Sequence, residues 1–274
     1  MINSTLLHRF THDRLVSPHD VTFLKHPDSD GIYLVTEPMH NRVNIYSYAE
    51  MDYMGELGNG MLKFNSPTNI LSLSQGGLVI LEESKIDILD EHCELLQEIH
   101  GKYRGLTEGQ DGEILTLRGQ EVLKFSKADG IFVLKETIKL VTLEGFEKWY
   151  TLSKPRHLLY SRGTGSLHIT DYGLHKVVTI DLQTNKQSAV GYFGEGIGQL
   201  KNPAAMIADD MGNLLVLDQG NDRIVVCTSS GVWVKVMVET IQMAKATGLS
   251  LSGNEVVVIY STGGLVRYRF DIET

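Results

Sequence analysis

Four acidic residues recur at one position of a pattern that repeats along the chain, each directly after a short apolar run. They are Glu37, Glu82, Asp171 and Asp218. Carboxylates that converge in a fold can hold a metal ion or serve as acid and base, whereas a carboxylate at a turn can accept hydrogen bonds from backbone N–H groups. Arg118 and Tyr260 stand at the matching position of two other repeats, which interrupts the set. We therefore favour a structural, turn-capping role for the carboxylates.

Other residue types that carry chemistry have no productive spacing. The ten His residues are scattered along the chain without an HExxH signature, and Cys93 and Cys227 have no CxxC spacing, which argues against a zinc site and indicates reduced thiols. The Gly-rich run at 194–198 lacks the Lys and Ser or Thr of a phosphate-binding loop, so we interpret it as a linker with tight turns. We expect no metal, no cofactor, no small-molecule substrate and no enzyme activity in this domain.

Composition narrows the classes of protein to which the chain can belong. Its 274 residues carry a net charge of -9, with 25 basic and 34 acidic side chains, and 42% of them are hydrophobic, as in folded globular proteins. Apolar runs such as residues 256–260 are far shorter than the roughly 18 residues needed to cross a bilayer. The first residues lack the features of a secretion signal. We expect a cytoplasmic protein without a membrane partner, and the acidity excludes a uniformly basic nucleic-acid binder.

The repeated pattern consists of strand, Gly turn, strand, polar loop and strand, and it is clearest over residues 202–231. Copies begin near residues 17, 66, 104, 154, 202 and 246, at intervals of 38 to 50 residues, which is about the length of a four-stranded propeller blade. The only helical stretch suggested is short, around Val238 to Ala246. The sequence therefore predicts an all-β, six-bladed β-propeller that forms a single domain over residues 1–274.

The last copy supplies only three strands, whereas residues 5–10 form a strand-like segment with no blade of their own. An incomplete blade would expose unpaired strand edges. We therefore expect the N-terminal strand to complete the last blade and close the ring.

Two stretches carry a family resemblance. Residues 191–203 (GYFGEGIGQLKNP), followed by residues 218–224 (DQGNDRI), resemble an NHL repeat, and residues 55–67 (GELGNGMLKFNSP) resemble the same linker. The resemblance extends over the whole chain and is weakest in the third and sixth copies. The chain looks like the C-terminal NHL domain of TRIM-type proteins, in which a RING ubiquitin-ligase module precedes the propeller. The resemblance implies that this domain is part of a larger multidomain protein.

The resemblance also implies two functions. Members of the TRIM-NHL group act as post-transcriptional repressors of mRNA that bind single-stranded RNA on the top face of the propeller. Some recruit protein partners or ubiquitination substrates through that face. The resemblance does not choose between them.

Net charge conceals an uneven distribution. In a propeller, the loops that enter the first strand and those that join the second strand to the third emerge on one face. The 55 residues assigned to these loops contain ten of the 25 basic residues but only eight of the 34 acidic ones. This face therefore carries about +2 and the rest of the chain about -11, so acidity does not argue against RNA at this face.

Flat and cationic side chains gather on the predicted face, mainly in the third and fourth copies. Guanidinium groups pair with phosphate or stack on bases, and Tyr and His rings stack on unpaired bases. The candidate RNA-binding residues are His19, His40, Arg42, Tyr103, Arg104, Arg118, Lys154, Arg156, His157, Tyr172, His175, Lys176 and Arg223. The alternative for Arg42 and Arg223 is that each bonds to its own turn.

The sequence hypothesis is thus a non-enzymatic NHL propeller that binds single-stranded RNA, with U-rich RNA as a candidate ligand, and acts in post-transcriptional mRNA repression, including translational repression. The alternative is a protein-interaction module that recruits substrates to a TRIM-type ubiquitin ligase through the same face.

Overall fold

A computed structural model describes residues 2–11, 15–25, 30–57, 62–140, 151–209, 211–228, 232–239 and 245–272. Contacts divide the chain into two compact units. Unit 1 comprises Met1–Lys102 with Lys245–Thr274, and unit 2 comprises Tyr103–Ala244. Each unit contains three four-stranded antiparallel sheets among its described residues.

Unit 1 holds the first, second and sixth blades, with strands numbered in chain order. The first blade is β2 (Val21–Leu24), β3 (Ile32–Glu37), β4 (Arg42–Ser47) and β5 (Tyr53–Leu57). The second is β6 (Asn69–Ser72), β7 (Leu78–Leu81), β8 (Lys85–Leu89) and β9 (Leu95–His100). The sixth is β22 (Ala246–Ser252), β23 (Glu255–Tyr260) and β24 (Gly264–Ile272), with β1 (Ile2–Thr11) paired to β24. The prediction that the N-terminal strand completes the last blade is therefore confirmed.

Unit 2 holds the third, fourth and fifth blades. The third blade is β10 (Arg104–Glu108), β11 (Ile114–Arg118), β12 (Glu121–Ala128) and β13 (Ile131–Lys139). The fourth is β14 (Pro155–Ser161), β15 (Ser166–Asp171), β16 (Lys176–Asp181) and β17 (Gln187–Val190). The fifth is β18 (Pro203–Ala208), β19 (Leu214–Asp218), β20 (Arg223–Cys227) and β21 (Trp233–Glu239).

The fold is an all-β, six-bladed β-propeller, as the repeats predict. Helix among the described residues comprises the 3-10 turns Pro38–His40 and Gln219–Asn221 and the single 3-10 residue Lys245. None of these helices is long or apolar enough to cross a membrane. Val238 lies in β21 rather than in a helix, and residues 240–244 of the suggested helical stretch lie outside the described residues.

Local sequence explains the blades. Their second strands are apolar and buried along their length, as in β7 and β19, because both faces of an inner propeller strand are covered. Tight turns join these strands to the first strands. Gly77 has φ +92°, and a Cβ there would lie 2.4 Å from the carbonyl oxygen of Leu89, so glycine is required.

Apolar side chains of neighbouring blades pack together within each unit. In unit 1, Tyr33 of the first blade shares a buried cluster with Val257 of the sixth. In unit 2, Leu115 of the third blade shares one with Ile169 of the fourth. This burial holds the blades of a unit side by side and thereby fixes the loops at their ends.

The recurring carboxylates form hydrogen bonds to the backbone of their own blades. Glu37, Asp171 and Asp218 have no exposed surface and lie at the ends of β3, β15 and β19. Each accepts a hydrogen bond from a backbone N–H of the segment that precedes the first strand of its blade, which we call the lead-in. The donors are the N–H groups of Val16 (2.5 Å), Ser153 (2.7 Å) and Lys201 (2.6 Å). The structural interpretation of these carboxylates is confirmed.

Turn capping is also present. Asp171 Oδ1 accepts the N–H groups of Gly173 and Leu174, both at 3.0 Å, in the loop that follows it. One buried side chain thus joins a lead-in to a loop between the second and third strands, so the two loops emerge together at one edge of the sheet. No group of three His, Cys, Asp or Glu residues suited to a metal occurs in the described part of the chain.

Glu82 differs because a second carboxyl group is buried beside it. It accepts the N–H of Asn65 at 2.5 Å, but Asp87, also without exposed surface, lies where the first blade has Asn44. In the first blade, Asn44 Nδ2 donates to Glu37 Oε2 at 2.9 Å. Burial, followed by the neighbouring Asp87, raises the pKa of Glu82 to about 8. Lys85 opposes this shift, with its Nζ 2.9 Å from Asp87 Oδ1 and 3.6 Å from Glu82 Oε1. The second blade therefore keeps a proton at neutral pH.

We predict that Asp87→Asn makes the protein less sensitive to alkaline pH. Because the pKa of Glu82 is higher in the folded than in the unfolded chain, folding binds a proton, and the free energy of unfolding falls as pH rises from about 4.5 to about 8. With an amide donor, as at Asn44, the variant should lose this fall, which is on the order of 2 kcal/mol over this range. Because the change also removes the carboxylate 2.9 Å from Lys85 Nζ, the slope of stability against pH is the quantity to compare. Urea unfolding across this pH range measures it.

The reciprocal change, Asn44→Asp, provides the matched control in the first blade. It places a second carboxylate beside Glu37 and should introduce the same loss of stability with rising pH. Equal pH slopes for the wild type and Asp87→Asn would contradict this account of the buried pair.

Candidate interaction surface

Three blades of unit 2 present their loops at corresponding edges. The first strands β10, β14 and β18 are neighbours, and the N–H of Tyr160 in β14 donates to Thr107 Oγ1 in β10 at 2.9 Å. The loops between second and third strands are closed by cross-strand pairs, such as Arg118 with Glu121 in the third blade and Asp171 with Lys176 in the fourth. Unit 2 therefore brings the candidate residues of the third and fourth copies to one edge of their blades, as the repeat predicts.

Three cations of this edge are available for a ligand. Arg104, Lys154 and Arg156 are exposed, and none of them forms an ion pair with another described residue. Arg118 is also exposed, but its guanidinium lies 3.2 Å from Glu121 Oε2. An exposed pair of this kind contributes little to stability and opens at little cost. Positive charge at this edge therefore comes mainly from the three unpaired side chains.

One of these cations lies over an aromatic ring. The guanidinium carbon of Arg156 lies 4.9 Å from the ring centre of Tyr172, which is within the range of a cation–π contact. Tyr172 is fixed by its backbone, since its N–H donates to the Lys154 carbonyl and its own carbonyl accepts Asn202 Nδ2, both at 3.0 Å. These bonds hold Tyr172 in the loop of the fourth blade, beside the start of β14, where Arg156 covers its ring.

A second pair of rings connects the loop of Tyr172 to the linker that follows β17. The His175 ring centre lies 4.9 Å from that of Phe193, and the rings are inclined by 58°. Phe193 is 63% exposed and Tyr192, next to it, is 56% exposed. We call Arg104, Lys154, Arg156, Tyr172, His175, Tyr192 and Phe193 the basic–aromatic patch.

The aromatic pair Tyr192 and Phe193 was not among the predicted site residues. The linker 191–203 was interpreted through its glycines, although two aromatic residues between Gly191 and Gly194 are a signal for an exposed binding loop. The glycine run itself has structural hydrogen bonds. Gly196 N–H donates to Gln199 Oε1 at 2.6 Å and Gly194 N–H to the Leu200 carbonyl at 3.3 Å. These N–H groups are therefore not arranged to bind phosphate.

Two predicted RNA-binding arginines have structural contacts instead. Arg223 is only 8% exposed, lies 2.8 Å from Asp218 Oδ2 and donates to the carbonyl oxygens of Glu195, Gly196 and Gln199. These contacts use four of the five N–H donors of the guanidinium, and burial keeps the group from a phosphate in solution. Arg223 therefore holds the linker and does not join the patch.

Arg42 in unit 1 has the same arrangement. Its guanidinium lies 2.6 Å from Glu37 Oε2 and 3.4 Å from Glu56 Oε2. Burial opposes the charged form of Glu37, but hydrogen bonds from Arg42, Asn44 and the Val16 N–H hold the pKa of Glu37 below its usual value. The alternative stated for both arginines, bonding within their own turn, is what the structure contains.

The remaining predicted residues occupy intermediate environments. In unit 1, His19 Nδ1 lies 2.7 Å from the Thr68 carbonyl oxygen, and His40 Nδ1 lies 3.0 Å from Glu37 Oε1. In unit 2, Tyr103 packs edge-on against Phe125 at 6.4 Å, while His157 and Lys176 are half-buried. The part of the linker at 58–61 lies outside the described residues. The compact set is therefore the basic–aromatic patch of unit 2.

Comparison with known proteins supports the fold. No protein-family model and no curated protein matches the sequence. A protein of unknown function from Bacteroides thetaiotaomicron is 11% identical with a TM-score of 0.72, covering 99% of this chain and 76% of that one. An auxiliary nutrient binding protein from the same organism is 10% identical, with a TM-score of 0.69 and coverages of 99% and 77%.

Streptogramin B lyase has the same architecture at 14% identity, with a TM-score of 0.62 and coverage of 98% of each chain. These low identities show a common propeller fold and nothing finer. The expectation of no enzyme activity is nevertheless contradicted as an inference, because the same fold occurs in a lyase and therefore does not exclude catalysis. Motif absence was an insufficient argument, since one fold hosts unrelated functions and a catalytic site is recognised by its geometry rather than by a contiguous signature. The chain is thus a six-bladed β-propeller of a kind that can serve as an interaction module.

Proposed function

We propose that this chain is an NHL-type propeller of the TRIM-NHL group that binds single-stranded RNA through the basic–aromatic patch and represses mRNA after transcription. The main support is the contact of Arg156 with Tyr172, flanked by the unpaired cations Arg104 and Lys154. Phosphates would meet the cations while unpaired bases stack on the rings. The family resemblance of the linker 191–203 adds the biological role.

The chemistry of the patch favours a single strand over a duplex. Rings such as Phe193 and Tyr192 offer faces on which bases stack only when they are unpaired. Three cations suffice for a short backbone contact, and the acidic remainder of the chain, at about -11, opposes extended contact with a duplex. RNA binding should therefore be weak, local and sensitive to salt.

We predict that the triple variant Arg104→Ala, Lys154→Ala, Arg156→Ala binds a U-rich oligonucleotide at least about tenfold more weakly at about 0.1 M salt. Three phosphate contacts give the wild type a slope of about -2 in a plot of log K against log salt concentration. The variant should lose most of that slope. Fluorescence anisotropy with labelled RNA measures both quantities.

A matched control removes three cations elsewhere in unit 2. Lys127 and Lys135 are exposed on β12 and β13, and Lys186 is exposed in the turn between β16 and β17, so their replacement by Ala changes the net charge by the same amount away from the loop edge that carries the patch. This control should keep the affinity and the slope. Equal losses in both variants would mean that RNA responds to net charge alone, and absence of salt-sensitive binding by the wild type would reject the function.

A second candidate function is recruitment of a protein substrate to an attached TRIM-type ubiquitin ligase. The observation that favours it is Ile197, which is 89% exposed in the same linker as Tyr192 and Phe193. An aliphatic side chain does not stack on bases but does anchor protein interfaces. The linker is rigid because Arg223 binds three of its carbonyl groups, so little entropy is lost on binding.

We predict that Ile197→Ser leaves RNA affinity within about twofold, because this residue offers RNA no stacking surface and the change adds no charge. If the second function holds, the same change abolishes capture of a partner from RNase-treated extract. Met211→Ser, at a residue 70% exposed in the fifth blade, is the control that should retain the partner. Capture that survives Ile197→Ser, or disappears on RNase treatment, would reject the protein-recruitment alternative.

A further inference from the structure

Neighbouring blades are joined by one recurring hydrogen bond at the edge that carries the loops. In unit 1, Asn41 in the loop of the first blade has φ +54°, and its Oδ1 accepts the N–H of Ser66, in the lead-in of the second blade, at 2.7 Å. In unit 2, His175 has φ +58°, and its Nδ1 accepts the N–H of Asn202, in the lead-in of the fifth blade, at 3.0 Å. We call this hydrogen bond between the loop of one blade and the lead-in of the next the joint. In unit 2 its acceptor is an imidazole instead of an amide oxygen.

The donor residues also have equivalent conformations. Ser66 and Asn202 both have φ +55°, in the left-handed region where an N–H points back toward the preceding blade. Asn202 adds a second bond, from Nδ2 to the Tyr172 carbonyl oxygen. The fourth and fifth blades are therefore joined twice through one asparagine, at the centre of the basic–aromatic patch.

This joint controls two aromatic surfaces. Tyr172, whose carbonyl accepts Asn202 Nδ2, lies under the guanidinium of Arg156. The His175 ring contacts Phe193 of the linker that leads to Asn202. Loss of the joint would free both ring surfaces to move relative to one another. The joint therefore sets the spacing at which two unpaired bases could stack.

The bond also specifies the chemical form of His175. A backbone N–H can donate only to a nitrogen that carries a lone pair, so Nδ1 is unprotonated in the joint. The neutral ring then carries its proton on Nε2. His175 thus uses its inner nitrogen to hold the blades and its ring face to support Phe193.

We propose that His175 is a positioning residue for ligand binding, which acts as a neutral imidazole clasp between the fourth and fifth blades and fixes the two stacking surfaces of the patch. This role rests on the proposed RNA function, but the clasp is tested separately from it. A direct contact of the His175 ring with RNA is the alternative that the experiment must separate.

The first measurement concerns the clasp alone. Long-range ¹H–¹⁵N NMR spectra of the histidine rings distinguish the two neutral tautomers, and His175→Asn assigns the signal. The clasp predicts the Nε2–H tautomer for His175 in the protein without RNA. A neutral ring protonated on Nδ1 would overturn the proposal, whatever RNA does.

The second measurement uses two replacements and an RNA that contains 2-aminopurine, whose fluorescence falls when it stacks on a ring. His175→Ala should bind about five- to tenfold more weakly, as expected for loss of one hydrogen bond, and should quench less. His175→Asn retains an acceptor, as Asn41 does in unit 1, and should restore most of the affinity and quenching. Rescue distinguishes positioning from direct contact, because asparagine offers no ring.

Thermal unfolding of each variant checks that the blades remain folded, and Asn202→Gly is a second test within the joint. Glycine accepts φ +55° and keeps the backbone donor, so this variant removes only the bond to the Tyr172 carbonyl and should weaken binding by an intermediate amount. Equal affinities of His175→Ala and His175→Asn would overturn the positioning role. A wild type that shows the Nε2–H tautomer but no RNA binding would reject the RNA function and leave the clasp in place.

Discussion

The structure depends on carboxylates buried at the ends of second strands. A carboxylate without exposed surface is costly unless several donors surround it, and Asp171 receives four backbone N–H groups from its lead-in and its loop. Because these donors are distant in sequence, one side chain fixes the position of both segments. Glu37 and Asp218 do the same with the addition of an arginine. The loop edge of each of these blades is therefore rigid before any ligand arrives.

Rigid loops allow a small number of exposed groups to form a surface. Lys154 belongs to the lead-in that Asp171 holds and Arg156 to the start of β14, while Tyr172 and His175 belong to the loop that the same carboxylate caps. Arg223 fixes the next linker and so presents Phe193 without contributing charge. The same loops thus contain both structural residues and exposed residues that face a ligand. The positive charge of the patch comes from the cations that form no ion pair with these carboxylates.

The sequence was sufficient for the fold because strand length, Gly turns and the carboxylate position repeat in register. It was less informative for the site, since whether an arginine is exposed or paired depends on the presence of an acidic residue five positions earlier. Arg223 follows Asp218 by five residues and forms an ion pair with it, whereas Arg104 has no acidic residue at that distance and is exposed. This difference can be read from the sequence. The bond between His175 and Asn202 was not, because it joins different blades across 27 residues. Absence of a catalytic motif was also a poor guide, as the lyase of the same fold shows.

The most direct test of the account is where single-stranded RNA contacts the protein. Titration of a short U-rich RNA into ¹⁵N-labelled protein, followed by NMR, locates the contact residue by residue. The account predicts shift changes concentrated at residues 154–156, 172–175 and 191–193, with little change along the outer strands β13 and β17. Changes confined to other loops, or no changes at all, would contradict it.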